Sequence, residues 1–353
     1  MGRTQDVIII GAGIIGCAIG RELARRGASV RIFESRSVGA GATHASAGVL
    51  APYIEAHERG PLFDLTLQSL AMYDEFIAEV SGEAGITVEY RRCGTLEVAM
   101  DAASEVRLRE SATRPDEGNV LQWLDARGAR SLEPALPESI RGALFASLHG
   151  YVAVPELTDA LVWAALRHGA QLETTDRVTA VQPMDKGLTV VTSDGTMWSA
   201  GRVVVAAGSW SGQIATEPAP RPQVKPIRGQ LLRLRWHAEP LRHIIWGPGC
   251  YIVPWENGMV LVGATVEDVG FDERVTVAGV RGLLDAASEL LPDVPQATFV
   301  EARAGLRPAS HGGLPIIRRS SDELPQLIYA TGHYRNGVLL APLTAKLVAD
   351  LVF

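Results

Sequence analysis

The chain has 353 residues and a formal net charge of −7, with 47% hydrophobic and 21% charged residues. At roughly 150 residues per domain, this length predicts about two domains, and the ordinary apolar content excludes a disordered chain. The acidic balance argues against a nucleic-acid binder, which normally carries a basic face. The 36 glycines are about a tenth of the chain, above the usual level of ~7%. Such an excess indicates turns, or places where the backbone approaches another group closely.

The first strand leads into a nucleotide-binding motif. The apolar run from Val7 to Ile10 is typical of a strand buried on both faces, and the complete G-x-G-x-x-G of residues 11–16 follows it. A helical pattern runs from Cys17 to Arg26, and a second strand from Ser29 to Phe33 ends at Glu34. Strand, glycine loop, helix, strand and acid in this order predict a dinucleotide-binding Rossmann unit.

Each part of this motif has a physical role. Gly11 permits the tight turn, Gly13 lets the backbone approach a pyrophosphate, and Gly16 allows close packing of helix on strand. The helix N-terminus supplies free N–H groups and the positive end of the helix dipole. The Glu34 carboxylate would accept hydrogen bonds from an adenosine ribose, and its charge disfavours a 2′-phosphate.

The loop after Glu34 favours FAD over NAD. Residues 39–49 have mostly small side chains, which suits a backbone running along an extended cofactor, although a flexible loop has the same composition. The phrase ESRSVGAGATHASAGVLAP, residues 34–52, resembles the FAD-dependent glycine oxidase and D-amino-acid oxidase family. In that family this segment wraps the pyrophosphate and reaches the isoalloxazine ring.

The remaining sequence alternates between helical and strand-like patterns. Helices are predicted over 61–80, 155–168, 277–291 and 338–352, and strands over 87–100, 172–174, 176–181, 188–192, 202–206, 230–235, 251–254, 259–262, 298–306 and 327–330. We expect an α/β fold of the glutathione-reductase and D-amino-acid oxidase type, with two discontinuous domains. The Rossmann-like FAD-binding domain would comprise 1–52, 150–218 and 298–353, and an antiparallel-sheet substrate domain with helices would comprise 53–149 and 219–297.

Two phrases near the C-terminus carry the substrate-site resemblance. Gly305-Leu306-Arg307-Pro308 and GHYRNGVLLAP, residues 332–342, resemble glycine oxidase more than sarcosine oxidase. The resemblance implies that Arg307 pairs bidentately with the substrate carboxylate, that Tyr251 binds the same carboxylate, and that Arg335 lies on the substrate side. From the residues alone, Arg307 could equally form a structural salt bridge and Tyr251 could be a packed aromatic.

Two departures from the family pattern leave amine specificity open. Gly249 and Val266 stand where glycine oxidase has His and Met, at positions that line the substrate cavity in that family. A basic cluster, Lys225, Arg228, Arg233 and Arg235, is interpreted as a solvated face.

The resemblance also implies the residues that hold the cofactor. The segment 332–342 would place a helix N-terminus at the flavin and stabilise negative charge there, and Val178 would contact the adenine through its backbone. No cysteine lies just ahead of the final strand, so noncovalent FAD is expected. The predicted cofactor-binding residues are Gly11, Gly13, Ile14, Ile15, Gly16, Glu34, Ser35, Ala42, Thr43, Ala47, Gly48, Val49, Val178, Gly208, His333, Tyr334, Arg335, Asn336, Gly337, Val338 and Leu339.

The predicted function is FAD-dependent oxidative deamination of a small amine or amino acid, such as glycine, sarcosine or a D-amino acid. Hydride would pass directly from Cα to flavin N5 without a side-chain base, and dioxygen would be reduced to hydrogen peroxide. The other products are an imino or 2-oxo acid and ammonia. The resemblance further implies a role in thiamine thiazole synthesis and assembly as a homo-oligomer.

Three alternatives stay open on the sequence: a membrane-surface D-amino-acid dehydrogenase using quinone, a tRNA-modifying flavoprotein, and a non-catalytic FAD-binding module. No HExxH motif or His-carboxylate cluster occurs, so no metal site is expected. Cys17, Cys93 and Cys250 are too few for a disulfide framework. Without a signal-peptide pattern or a run of ~18 apolar residues, we expect a cytoplasmic protein with no integral membrane segment.

Overall fold

The computed structural model describes residues 5–55, 59–113 and 120–353. In these ranges the helices are α1 Ile14–Arg25, α2 Pro52–Glu55, α3 Pro61–Ala71, α4 Tyr73–Ala84, α5 Ala102–Ala112, α6 Ala126–Leu132, α7 Val154–Arg167, α8 Val277–Leu290 and α9 Ala341–Val352. The strands are β1 Gln5–Ile10, β2 Val30–Glu34, β3 Val49–Leu50, β4 Tyr90–Arg91, β5 Thr95–Ala99, β6 Leu121–Asp125, β7 Gly142–Ala146, β8 Gly150–Val152, β9 Gln171–Thr174, β10 Val178–Pro183, β11 Leu188–Thr192, β12 Met197–Val205, β13 Val224–Arg235, β14 Ile244–Gly247, β15 Cys250–Pro254, β16 Met259–Gly263, β17 Thr298–Ser310, β18 Ile316–Arg319 and β19 Leu327–Thr331. The α/β fold is confirmed.

The first of two eight-stranded sheets is built around the N-terminal strand β1. Its parallel part runs in the order β9, β2, β1, β12, β19, with β18 antiparallel at one edge and the β10–β11 hairpin attached to β12. Val7 and Ile9 face a core that includes α1, α7 and α9, whereas Ile8 and Ile10 face a second core that includes β10 and β11. Burial on both faces explains why residues 7–10 are continuously apolar.

The second sheet runs in the order β17, β13, β16, β15, β14, β5, β7, β6. All its neighbouring strands are antiparallel except β14 and β5. Leu283, Ala287 and Leu290 of α8 pack on this sheet within one apolar core. A small three-stranded sheet of β3, β8 and β4 completes the strand pairing.

The packing bears on the domain boundaries. Strand β17 pairs along its whole length with β13 in the second sheet, which favours a boundary after Ser310 over one before Thr298. Side chains of α3 and α4, among them Leu70 and Tyr73, belong to the core beneath the first sheet, although residues 53–149 were expected in the substrate domain. The division into two discontinuous domains, with its boundaries, stays a prediction.

Several predicted elements differ from the structure in extent, and two of these differences have a clear local cause. The strand over 87–100 is two strands, β4 and β5, in different sheets, because Gly94 between them has φ +75° and turns the chain. The last helix begins at Ala341 and not at Val338. Pro342 has no N–H to donate to the Val338 carbonyl, and that carbonyl accepts a 2.5 Å hydrogen bond from Tyr73 Oη.

The prediction of a solvated basic face was also wrong for one of its members. Arg228 is only 4% exposed, with its Nη2 2.5 Å from Glu267 Oε2 and its Nη1 2.9 Å from Asp272 Oδ2. A guanidinium can be buried when carboxylates neutralise it and occupy its donors. Lys225 does lie at the surface, paired with the exposed Asp268.

Among the described residues, no helix combines the length and the apolar character that crossing a membrane requires.

Candidate active site

A cavity of about 550 Å³ reaches from the first sheet to the second. Its lining includes Ile10 and Glu34, which end β1 and β2, and also Gly229, Tyr251 and Arg307 of the second sheet. Ligands of open α/β sheets bind outside the carboxyl ends of the parallel strands. The cavity therefore joins a nucleotide-type site to the strands that were predicted to bind substrate.

Most of the predicted site residues meet in this cavity. Gly16, Asn336 and Leu339 do not line it; Leu339 is a core residue, 2% exposed. The predicted residues that line the cavity are Gly11, Gly13, Ile14, Ile15, Glu34, Ser35, Ala42, Thr43, Ala47, Gly48, Val49, Val178, Gly208, Tyr251, Arg307, His333, Tyr334, Arg335, Gly337 and Val338.

The glycine turn has the geometry that the motif predicts. Gly11 has φ +108°, and a Cβ on it would lie 2.6 Å from the Ala206 carbonyl oxygen. A Cβ on Gly16 would lie 1.9 Å from the Gly11 carbonyl oxygen, so α1 can approach the turn only with glycine there. Gly13, Ile14 and Ile15 at the N-terminus of α1 are thereby held in the cavity wall.

Glu34 is oriented by the backbone around it. Its two carboxylate oxygens each accept a 2.9 Å hydrogen bond, one from Ala12 N and the other from Arg36 N. A carboxylate has about four acceptor positions, so it can accept further bonds from the cavity. Thr43 Oγ1 accepts from Ile14 N at 3.1 Å and holds the small-residue loop on α1. Glycines, a helix N-terminus and an oriented acid in one cavity fit the pyrophosphate and ribose of FAD.

Two further residues, Arg36 and Trp210, line the cavity and were missed by sequence reasoning. The Arg36 guanidinium lies 4.5 Å from the Trp210 ring centroid, and its Nη1 is 3.0 Å from Glu273 Oε2. The Trp210 ring is 5.8 Å from that of Phe271. Because Phe271 and Glu273 belong to the segment between β16 and α8, this segment contacts the nucleotide side of the cavity. No local pattern links Arg36 to a carboxylate 237 residues away.

Arg307 is a half-buried cation at the other end of the cavity. Its Nη1 donates a 2.8 Å hydrogen bond to the Thr265 carbonyl, and no carboxylate among the described residues pairs with it. Burial lowers the pKa of its guanidinium, yet arginine stays charged at any relevant pH. Tyr251 lies beside it, and burial raises the pKa of the tyrosine hydroxyl while the charge of Arg307 opposes that change.

A polar network fixes the carbonyl that Arg307 contacts. Thr265 Oγ1 accepts from Gln230 N at 2.8 Å and donates to Glu267 Oε1 at 2.6 Å. Glu267 in turn pairs with the buried Arg228. Burial alone would raise the pKa of Glu267, but hydrogen bonds from Arg228, Thr265 and Gln230 lower it. The Arg228–Glu267 ion pair is therefore the anchor of the segment whose Thr265 carbonyl accepts the hydrogen bond from Arg307.

Arg335, the second predicted substrate-side arginine, is already paired. Its Nε and Nη2 lie 2.5 and 2.8 Å from the two oxygens of Glu55, the last residue of α2. Burial alone would lower the Arg335 pKa, but the charge and hydrogen bonds of Glu55 raise it above the ordinary value. Glu55 lines the cavity and was missed because nothing local predicts a partner 280 residues away.

The turn that precedes Arg335 also faces the cavity. Tyr334 has φ +50°, a left-handed conformation that is strained for a side chain of this size. His333 is 4% exposed, and its Nε2 is 3.0 Å from Thr344 Oγ1. Burial lowers the pKa of His333 to about 4. The imidazole is therefore neutral at pH 7.

The remaining positions that the sequence singled out lie outside the cavity. Gly249 and Val266 are not among the residues that line it, and Val266 is 56% exposed. Cys17, Cys93 and Cys250 are free and absent from the lining. Within the described ranges, no group of metal-binding side chains occurs.

The comparisons with known proteins agree with this site. A glycine oxidase from Geobacillus kaustophilus is 36% identical over 355 residues, covering 100% of this chain and 94% of the relative. The bifunctional protein ThiO/ThiG of a Nostoc species is 36% identical across 99% of this chain, which spans 53% of that protein.

Solved structures give the same result. The crystal structure of the Geobacillus kaustophilus glycine oxidase superposes with a TM-score of 0.94, covering 99% of this chain and 95% of that one. An iminodiacetate oxidase from Chelativorans sp. BNC1, 31% identical, superposes with a TM-score of 0.86 and covers 98% and 95%. Residues 6–351 match the family described as DAO, FAD dependent oxidoreductase. The chain belongs to this family of FAD-dependent oxidoreductases.

Proposed function

We propose that the chain oxidises glycine or a similarly small amine that carries a free carboxylate, with dioxygen as the electron acceptor. FAD-dependent oxidation of an amine or amino acid is the activity that fits both the full-length relatives and the cavity. When bound, FAD supplies the two-electron redox chemistry. The observation that carries the proposal is Arg307, a cation facing the cavity with no carboxylate partner among the described residues.

The substrate end of the cavity is suited to one carboxylate. Arg307 retains unpaired N–H donors beside the Tyr251 hydroxyl, and a planar guanidinium matches a carboxylate bidentately. Arg335 is neutralised by Glu55, so among the described residues that line this end only Arg307 supplies uncompensated positive charge. We propose that Arg335 contacts substrate through its backbone while its side chain stays paired.

The residues at this end favour oxidation without a side-chain base. Of the acids and histidines that line the cavity, Glu55 is held by Arg335, and His333 contacts Thr344. Glu34 and Asp176 belong to the nucleotide end. Chain residues would therefore act by holding the carboxylate and orienting the Cα–H bond, which is the positioning contribution to catalysis.

The finer assignments remain part of the proposal. We propose a cytoplasmic homo-oligomer, hydrogen peroxide as the reduced product, and the cavity-lining residues named above as the FAD contacts. A role in thiamine thiazole synthesis is supported by the similarity to ThiO/ThiG proteins. The acidic net charge counts against tRNA modification.

The test is anaerobic mixing of the holoenzyme with glycine, sarcosine and D-alanine while the flavin absorbance is followed. Loss of the oxidised-flavin band with at least one of them, and peroxide release in air, is the expected result. Reduction followed by turnover only with a quinone or dye would replace dioxygen as the acceptor. An unchanged flavin spectrum with every amine would refute the proposed activity.

Arg307→Ala tests the carboxylate assignment. Charged hydrogen bonds contribute about 1.5–3 kcal/mol, so the glycine KM should rise about 10- to 100-fold. Arg319→Ala removes an exposed arginine outside the cavity and should leave KM unchanged. A wild-type KM in Arg307→Ala would remove Arg307 from the substrate site.

A further inference from the structure

The two predicted carboxylate-binding side chains lie over glycines of neighbouring strands. Tyr251 of β15 is directly opposite Gly263 of β16, and Arg307 of β17 is diagonal to Gly229 of β13. Leu231 pairs with Gly263, and Gly229 with Gly305. Because side chains alternate across a strand, this register places Tyr251, Arg307 and both glycines on the same face of the second sheet.

The fit between these side chains and the glycines leaves no room for a methyl group. A Cβ on Gly229 would lie 2.2 Å from Cζ and Nη2 of Arg307 and 2.4 Å from Nη1. A Cβ on Gly263 would lie 2.6 Å from Oη and 2.7 Å from Cζ of Tyr251. All these separations are well below van der Waals contact. The guanidinium and the phenol therefore lie directly against the bare backbone.

A left-handed backbone does not explain these two glycines. Neither Gly229 nor Gly263 has a left-handed φ, so the φ angle does not require glycine at either position. Glycine inside a strand weakens the strand, and it commonly marks a place where another group approaches closely. Here the approaching groups are the polar ends of Arg307 and Tyr251, which also face the cavity.

We propose that Gly229 and Gly263 are positioning residues that set how closely Arg307 and Tyr251 lie to the sheet, and thereby where the substrate carboxylate binds. This inference rests on the proposed function. The three atoms nearest to a methyl group at either position belong to the end of the Arg307 or Tyr251 side chain and not to the backbone, so the side chain is the group that must shift. The chain would still fold, but the Arg307 guanidinium and the Tyr251 hydroxyl would be displaced toward the cavity. They would no longer be placed to bind one carboxylate together, and Arg307 would lose its hydrogen bond to the Thr265 carbonyl.

The test compares Gly229→Ala and Gly263→Ala with Gly282→Ala in the holoenzyme. Gly282 is an exposed residue of α8, and an added methyl group there would have nothing within 4 Å, so it controls for the substitution itself. We expect the glycine KM, and the dissociation constant of acetate measured from the flavin spectrum, to rise about tenfold or more in the two site variants. FAD affinity and melting temperature should stay close to wild type.

A second measurement keeps the inference testable if a site variant folds poorly. In an Arg307→Ala background the contact with residue 229 is gone, so Gly229→Ala should then change neither the melting temperature nor acetate binding. An effect of Gly229→Ala that persists without Arg307, or an unchanged KM and acetate affinity in both single variants, would overturn the inference. A wild-type enzyme that oxidises no carboxylate-bearing amine would instead refute the proposed function.

Discussion

The two arginines at the substrate end of the cavity have different electrostatic surroundings. Arg307 donates to a carbonyl and keeps its charge uncompensated, whereas Arg335 forms two hydrogen bonds with Glu55. The Glu55 side chain is only 13% exposed, and a charge pair so far removed from water is screened little. Because Glu55 neutralises Arg335, this end of the cavity carries one net positive charge, that of Arg307, and not two.

Glu55→Gln should change the preference between substrates. Removing the negative charge frees Arg335 to attract a second carboxylate, so kcat/KM for iminodiacetate relative to glycine should rise about tenfold or more. The comparison requires steady-state kinetics with both substrates. Glu173→Gln removes a half-exposed carboxylate near Arg31 and serves as the control. If both substrates were weakened equally, the pair would have a structural role and no part in specificity.

At the scale of elements, the segment between β16 and α8 joins the two ends of the cavity. One of its carboxylates, Glu267, bonds to the buried Arg228, and another, Glu273, bonds to the half-exposed Arg36. Breaking a buried pair leaves a buried charge without its partner, whereas exposed pairs contribute little because water screens them. The two contacts should therefore differ in their effect on stability.

The paired variants Glu267→Gln and Glu273→Gln test this difference. Glu267→Gln should lower the free energy of unfolding by about 2 kcal/mol or more. The decrease should be smaller than for a buried arginine left with no partner, because Asp272 still contacts Arg228. It should also raise the glycine KM, because the NH2 group of the glutamine cannot accept a hydrogen bond from Arg228, which disturbs the network that holds Thr265. Glu273→Gln should cost under about 1 kcal/mol. Urea denaturation with excess FAD gives both values, and equal losses would contradict the assignment of Glu267 as the anchor.

For the whole molecule, buried histidines predict how stability depends on pH. Burial lowers the pKa of His149 to about 3 and that of His333 to about 4. Both are neutral in the folded protein, but in the unfolded chain they protonate near pH 6.5. Their contribution to stability is therefore complete above about pH 6.5 and is lost as the pH falls toward the folded-state pKa values.

As the pH falls from 8 to 5, protonation of each of these histidines in the unfolded chain should lower the free energy of unfolding by about 2 kcal/mol. The measurement is a series of urea denaturations across that range at constant excess FAD. In His149→Gln the decrease in the free energy of unfolding between pH 8 and pH 5 should be smaller by about 2 kcal/mol. Substitution of the exposed His311 should leave that decrease unchanged. A His149→Gln curve parallel to wild type would contradict the neutral buried state.

Local sequence determined the nucleotide half of this protein. The strand at residues 7–10, the turn at Gly11 and Gly16, and the acid at Glu34 all precede residue 35, so their geometry follows from short-range sterics and strand burial. The α/β class and most of the helices and strands were predictable for the same reason. Family resemblance in the phrases around Arg307 and Arg335 added the substrate end.

Only the tertiary structure decided which of those side chains are available to a ligand. Arg307 and Arg335 are both arginines in family-like phrases, and their difference depends on Glu55, which is 280 residues from Arg335. The burial of Arg228, the pairing of β17 with β13 and the contact of Gly229 with Arg307 likewise join distant segments. Charge pairing and close packing depend on separation in space, which periodicity and motif spacing along the chain do not encode.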